Sequence, residues 1–187
     1  MRLTGYDIFV AKLVHIRPVI EAELDLLELL YVDQGEASQY GFFGYRNPGG
    51  LRRGFAEKGF ISEDHGRLAV ALGGADEVGE FIGEVSWRKV QTGPSSFSWD
   101  IGIGLLARAR GRGYGTQAQR LLAEYLFTHT QLNRVAATTD VGNLAEQRSL
   151  EKAGFTREGT LRGSCFRAGK WRDMASYSIV RADVDLG

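Results

Sequence analysis

Cysteine is nearly absent from this chain of 187 residues. Cys165 stands alone, so no internal disulfide forms and no thiolate cluster can hold a metal. Histidine is also scarce, and His15, His65 and His129 show none of the spacings of metal ligands. No metal is expected. An excess of either charge is missing too: 23 Lys and Arg balance 23 Asp and Glu. That balance argues against a nucleic-acid partner while leaving room for a local basic patch. No apolar run near the N-terminus is long enough for a signal peptide or a membrane span. No membrane partner is therefore expected, and the default compartment is cytoplasmic.

What remains is ordinary globular composition, 43% hydrophobic and 25% charged. The length suggests a single domain over residues 1–187 with a sizeable core. Residues 101–116 organise the rest. They open as a strand, with Trp99, Ile101, Ile103 and Leu105 alternating onto one face. A basic glycine turn follows, Arg110-Gly111-Arg112-Gly113-Tyr114-Gly115. A helix then places Tyr114, Ala118, Leu121, Leu122, Tyr125 and Leu126 on one side. Glycines feeding a helix N-terminus make an anion site, because free N–H groups and the helix dipole both favour negative charge.

Around this stretch, residues 8–17 alternate as a first strand and residues 21–32 form an amphipathic helix. Residues 35–50 hold Tyr40, Phe42, Phe43 and Tyr45 among Gly41, Gly44, Gly49 and Gly50. They read as an aromatic-anchored loop, either packed on the core or forming one wall of a substrate pocket. Residues 51–60 suggest a short helix. Strands at 67–72, 80–87 and 97–106 form an antiparallel meander, with turns at Gly73-Gly74-Ala75-Asp76 and at 91–96. A helix over 113–130, a strand over 134–139, a helix over 143–153 ending at Gly154, and strands near 155–161 and 175–181 complete the order. This is an α+β domain with a mixed, mostly antiparallel sheet of about seven strands flanked by helices.

Which phosphate compound the glycine turn holds follows from what it lacks. No lysine precedes Thr116, which excludes a P-loop. The spacing is Gly-x-Gly-x-Gly after a long basic turn, and a meander precedes it, which argues against a dinucleotide fold. Arg110-x-x-Gly113-x-Gly115 resembles the Gln/Arg-x-x-Gly-x-Gly/Ala motif of the GNAT superfamily of acyl-CoA-dependent N-acetyltransferases. Residues 99–105 look like that family's splayed fourth strand. Asn143 leads a helix ending in Lys152-Ala153-Gly154-Phe155, similar to the family's Asn-led helix. Glu158-Gly159, Arg162 and Gly169-x-Trp171-x-Asp173 resemble the branch that includes the ribosomal-protein N-terminal acetyltransferases (RimJ/RimL-like). The resemblance implies acetyl-CoA as co-substrate and a monomer or homodimer.

It also assigns expected roles. The cofactor would lie on the backbone of Ile103, Gly104 and Leu105 and on Arg110, Gly111, Arg112, Gly113, Tyr114, Gly115 and Thr116. Asn143 would bond the pantetheine arm, or serve as an N-cap with Glu146 as its capping-box partner, or both. The leaving thiolate needs a hydrogen-bond donor. The family's usual tyrosine is replaced here by Leu150, leaving Ser149, Tyr114, Tyr177 or water. The attacking amine needs a base, and Asp100 and Glu84 are the candidates. Tyr40, Phe42, Phe43 and Trp87 are the expected substrate-binding residues. Two functions stay open. One is acetyl transfer to a primary amine, on a protein N-terminus or a small molecule. The other is a non-catalytic acyl-CoA sensor or scaffold.

Overall fold

Strands with one apolar face make the framework. β1 (Val14–Pro18), β2 (His65–Leu72), β3 (Glu80–Gly93) and β4 (Ser96–Leu105) form an antiparallel meander. β5 (Arg134–Asp140), β6 (Thr156–Arg167) and β7 (Lys170–Val180) complete one sheet in the order β1-β2-β3-β4-β5-β7-β6. β4 and β5 are its parallel pair. The structure, a computed structural model, describes residues 14–47, 49–73 and 78–184. The expected strand residues 8–13 and the turn residues 74–76 lie outside them.

Five helices pack on this sheet among the described residues: α1 (Leu24–Val32), α2 (Gln34–Gly41), α3 (Gly50–Lys58), α4 (Tyr114–His129) and α5 (Leu144–Lys152). Alternation sends Leu68, Val70, Val85, Trp87, Trp99 and Ile101 to one face. There they meet Ala118, Leu122, Leu126 and Phe127 of α4 and Leu150 of α5. Removing Leu122, Leu126 and Phe127 from water stabilises this contact by about 1.5–3 kcal/mol each. The opposite face carries Ala69 and Phe81, which pack with Leu24, Leu27 and Leu30 of α1 and with Leu106.

Two segments depart from the expectations. The start of the stretch expected as a loop, residues 35–50, is helical in α2. Asp33 caps it by accepting from the Glu36 N–H at 2.9 Å, and the helix breaks at Ser38, whose φ is +61°. One side-chain cap outweighs glycine's cost over so short a helix. The last two strands are longer than expected. They form a hairpin closed at Ala168-Gly169, where both φ values are positive, 48° and 74°. The added length of β6 is mostly exposed, so no buried face announces it in sequence.

Candidate active site

The parallel ladder between β4 and β5 is short. It holds Trp99↔Val135, Asp100↔Ala136 and Ile101↔Ala137, and then stops. Beyond it the two strands diverge, and residues 102–105 of β4 have no strand partner on that side. Their other edge stays bonded to β3 through Gly83↔Leu105 and Glu84↔Gly104. A strand edge with unpaired N–H and C=O groups can take an extended, amide-bearing ligand.

The glycine turn lies at the open end of this gap. Gly113 is the N-cap of α4 with φ +80°, no side chain caps the helix, and its first turn contains no acid. The Gln117 N–H already bonds Gly113 O at 3.3 Å. The N–H groups of Tyr114, Gly115 and Thr116 ahead of it have no partner within the helix. A Cβ placed on Gly111 or Gly113 would meet no heavy atom within 4 Å. Open space, left-handed backbone and unused N–H groups together fit a pyrophosphate. At Gly115 a Cβ would stand 3.5 Å from Ser149 Oγ and 3.6 Å from the Cδ1 atoms of Ile103 and Leu105. The start of α4, the open edge of β4 and the face of α5 therefore meet at one point.

The arginines around the turn divide. The Arg110 guanidinium donates to Leu105 O at 2.9 Å and to the carbonyls of Gly35 and Glu36. Three carbonyls converge on its side chain, which ties α2 to the turn. Arg108 bonds Phe81 O at 2.9 Å and pairs with Glu80. Arg112 is exposed and has no hydrogen-bond or ion-pair partner among the described residues, so it is the arginine left to meet a phosphate.

Asn143 caps α5, with its Oδ1 accepting from the Glu146 N–H at 3.3 Å and its Nδ2 donating to Thr139 Oγ1 at 3.1 Å. The reciprocal half of the expected capping box is missing. The Asn143 N–H bonds Asp140 O instead, and the Glu146 carboxylate accepts from Gln119 Nε2 of α4. Burial pushes the Glu146 carboxyl up to about 7, with the Gln119 hydrogen bond opposing the shift. Ser149 Oγ donates to Gln119 Oε1 at 3.1 Å and lies 3.1 Å from Thr116 Oγ1. Tyr177 is buried, and its hydroxyl donates to the exposed Glu151 of α5 at 3.1 Å.

Both candidate acids lie on the sheet face opposite α4. They are four positions apart along β4, since Arg88 opposes Asp100 and Glu84 opposes Gly104. That separation is about 13 Å. Asp100 sits where the ladder is still closed and pairs with the exposed Arg88 at 2.6 Å. Glu84 is buried at 4% exposure, and a Cβ on Gly104 would be 3.8 Å from its Oε1. Its carboxylate therefore stands over the unpaired segment of β4. Arg67 pairs with it at 2.8 Å and Tyr31 donates its hydroxyl to it. Burial, and after it the charge of Glu84, push the Tyr31 phenol above its usual range, so it remains a donor. Tyr31 and Arg67 were not legible as site residues. Tyr31 reads as one more apolar position of its helix, and Arg67 reads as a strand terminus.

The expected substrate residues separate. Tyr40 and Phe43 lie under the Arg167 guanidinium at 5.5 and 5.8 Å from their ring centres. Arg167 is buried and ion-paired with Asp140, and the Tyr40 hydroxyl donates to Gly142 O at 2.9 Å. These contacts pin α2 and the segment after it to the ends of β5 and β6. Phe42 stacks edge-on with Tyr45 at 5.5 Å. Trp87 is a correction. It is 6% exposed, on the opposite face from Glu84, and packs on Tyr125 of α4 at 5.8 Å. Strand alternation sends it into the core, where Gly66 makes room for it.

The acetyltransferase (GNAT) domain family matches residues 14–156 of the chain, more than three quarters of it. The chain belongs to the GNAT acetyltransferase family. Among relatives of this GNAT chain is a probable N-acetyltransferase, YjcK, of Bacillus subtilis, 35% identical over 102 residues, which are 54% of this chain and 56% of the relative. A putative ribosomal N-acetyltransferase of the same organism, YdaF, is 33% identical over 45% of this chain and 46% of its own length. An aminoglycoside N(6')-acetyltransferase type 1 of Klebsiella pneumoniae is 35% identical over 49% and 41%. The matches span about half the length of these relatives. The fold is shared with spermidine N-acetyltransferase from Vibrio cholerae, solved with CoA and spermine, at a TM-score of 0.76 and 19% identity over 91% of this chain and 96% of that one. Mycobacterium smegmatis RimJ with CoA-disulfide aligns at 0.70 and 22% identity, over 91% and 83%.

Proposed function

We propose that this GNAT chain transfers an acetyl group from acetyl-CoA to a primary amine held against the open edge of β4. The observation that carries the reading is the β4–β5 ladder ending after three pairs beside an uncapped, glycine-led helix N-terminus. In this reading the N–H groups from Gly111 to Thr116 hold the pyrophosphate. The unpaired backbone of residues 102–105 aligns the pantetheine amides and the thioester. Its N–H groups stabilise the oxyanion that forms when the amine attacks. Collapse of that adduct breaks the C–S bond, and the thiolate leaves toward Ser149.

Glu84 is the base in this scheme, and it takes the amine proton directly or through one water. Its position over Gly104 supports the choice. Asp100, held by Arg88 at the closed end of the ladder, is a positioning residue for β3 and β4. Tyr31 and Arg67 orient the Glu84 carboxylate. Tyr40 and Phe43, fixed by Arg167, form the wall that the acceptor meets on the α2 side. That wall favours a small amine or a short peptide end over a large folded surface.

The test is release of free CoA thiol from acetyl-CoA with a panel of amines and N-terminal peptides. Turnover above background hydrolysis with any member supports the enzyme. CoA binding with no turnover across a broad panel supports the non-catalytic sensor instead. The observation that favours that second reading is Leu150, fully buried and without a hydroxyl, where the family's usual tyrosine would stand.

A further inference from the structure

Glu146 is a titratable group that the scheme above does not use, and it sits at one end of a polar chain that reaches the gap. We infer that Glu146 sets the direction of the hydrogen bonds running through Gln119 and Ser149 to Thr116. On taking up a proton, it turns the Ser149 hydroxyl from a spent donor into one that reaches the sulfur of CoA. This rests on the proposed CoA site and names a positioning residue for it.

The argument is a count of protons. An ionised carboxylate only accepts, so Gln119 must present its NH2 group to Glu146. Its oxygen then faces Ser149, which has one proton and donates it there at 3.1 Å. Thr116 supplies the remaining bond to Ser149 Oγ. In that state Ser149 offers the gap no proton. A protonated Glu146 can donate to the Gln119 oxygen. The amide then lies the other way round, its NH2 donates to Ser149, and the Ser149 proton is free. Turning an amide over exchanges groups of nearly equal size, so neither α4 nor α5 has to move. The added proton stays on Glu146, and no covalent bond changes.

Position and environment both favour the device. Gln119 is 2% exposed, so water does not compete for its amide. Ser149 Oγ borders the same small space as Ile103 and Leu105 of the open β4 edge. Burial holds the Glu146 carboxyl close to neutrality, where a modest preference moves its occupancy most. The charged groups on the packed elements are engaged or turned outward. Arg120 of α4 donates to Lys152 O, Glu151 of α5 accepts from Tyr177, and Asp140 of β5 pairs with Arg167. Arg112, Arg148 and Lys152 are exposed.

Proton uptake on binding tests the inference. Wild type, Glu146→Gln and Ser149→Ala are titrated calorimetrically with CoA and with desulfo-CoA at pH 7, in buffers of different ionisation enthalpy. One added hydrogen bond is worth about fivefold in affinity. A fivefold preference raises the protonated fraction of a half-titrated carboxyl by about 0.3. Wild type should therefore take up about 0.3 proton more than Glu146→Gln on binding CoA. Its affinity should fall by up to about fivefold more than the variant's between pH 6 and pH 8. The excess uptake should vanish with desulfo-CoA and in Ser149→Ala, which keeps Glu146 but has no hydroxyl. Equal uptake by wild type and Glu146→Gln overturns the inference, as does an excess that persists with desulfo-CoA or in Ser149→Ala. Wild type that binds no CoA removes the CoA site itself, a result distinct from binding without the linkage.

Discussion

Substituting Gly113 with valine separates the phosphate site from the stability of the helix it caps. Gly113 has φ +80°, in the left-handed region, where an L side chain costs about 1–2 kcal/mol. Its added Cβ would meet no protein atom within 4 Å, so strain is the whole cost to the fold. For a chain of this size that lowers Tm by about 2–8 °C. Binding should suffer far more. The valine methyls occupy the space through which a phosphate approaches the N–H groups of the turn and the first turn of α4. Losing two charge-assisted hydrogen bonds, at about 1.5–3 kcal/mol each, weakens CoA by about 10²- to 10⁴-fold. Gly115→Ala is the control. Its methyl makes ordinary contacts with Ser149, Ile103 and Leu105 at 3.5–3.6 Å. It should keep CoA affinity and gain up to about 1 kcal/mol of helix stability. Calorimetric titration with CoA and thermal melts of both variants give the answer. Wild-type affinity in Gly113→Val, with the Tm drop showing that the strain is real, would refute the phosphate assignment. So would equal losses in the two variants.

The remaining perturbations address chemistry, packing and charge. Glu84→Gln should lower turnover by about 10²- to 10⁴-fold while CoA still binds. Asp100→Asn breaks a solvent-facing pair worth less than about 1 kcal/mol and should leave turnover near wild type. A larger loss in Asp100→Asn than in Glu84→Gln reverses the choice of base. Gly66→Ala puts a methyl 2.0 Å from the Trp87 ring, whose place in the core is fixed by Tyr125. Overpacking of this kind should cost about 1–3 kcal/mol, and an unchanged urea midpoint would show that the tryptophan can move. The Arg134 hydrogen bond is the main reason the Glu158 carboxyl sits down at about 2. A lowered acid contributes stability above its ordinary value and loses it as pH falls from about 4.5 toward about 2. Because the pair is partly exposed, Glu158→Gln should cost only about 0.5–1 kcal/mol at pH 7 and nothing near pH 2. Equal cost at both pH values would mean that the ion pair is not the source.

Local pattern carried much of the fold. The meander, the long helix after the glycine turn and the Asn-led helix depend on alternation, helical periodicity and caps, which are properties of neighbouring residues. What failed locally failed for identifiable reasons. Asp33 supplied a cap just ahead of a glycine-rich stretch, and the exposed arms of β6 and β7 had no apolar face to mark them. Trp87 was the opposite case. Its aromatic character suggested a substrate wall, but the parity of its strand placed it against Tyr125.

The glycine turn at residues 110–115 was legible in the sequence alone, because glycine permits the positive φ taken at Gly111 and Gly113 and no capping side chain stands at the helix start. Which arginine stays available beside it was not, since Arg110 is captured by carbonyls from a segment 74 and 75 positions away. The same holds for the two acids. Sequence places both in adjacent strands, and only strand register puts Glu84 over the unpaired edge of β4 and Asp100 at its closed end. Register is set by side chains packing across the whole sheet, so no single strand contains it. The chain of Glu146, Gln119, Ser149 and Thr116 is likewise tertiary. Two helices must dock before a polar residue in an apolar stripe, Gln119, acquires the partners that give it a purpose.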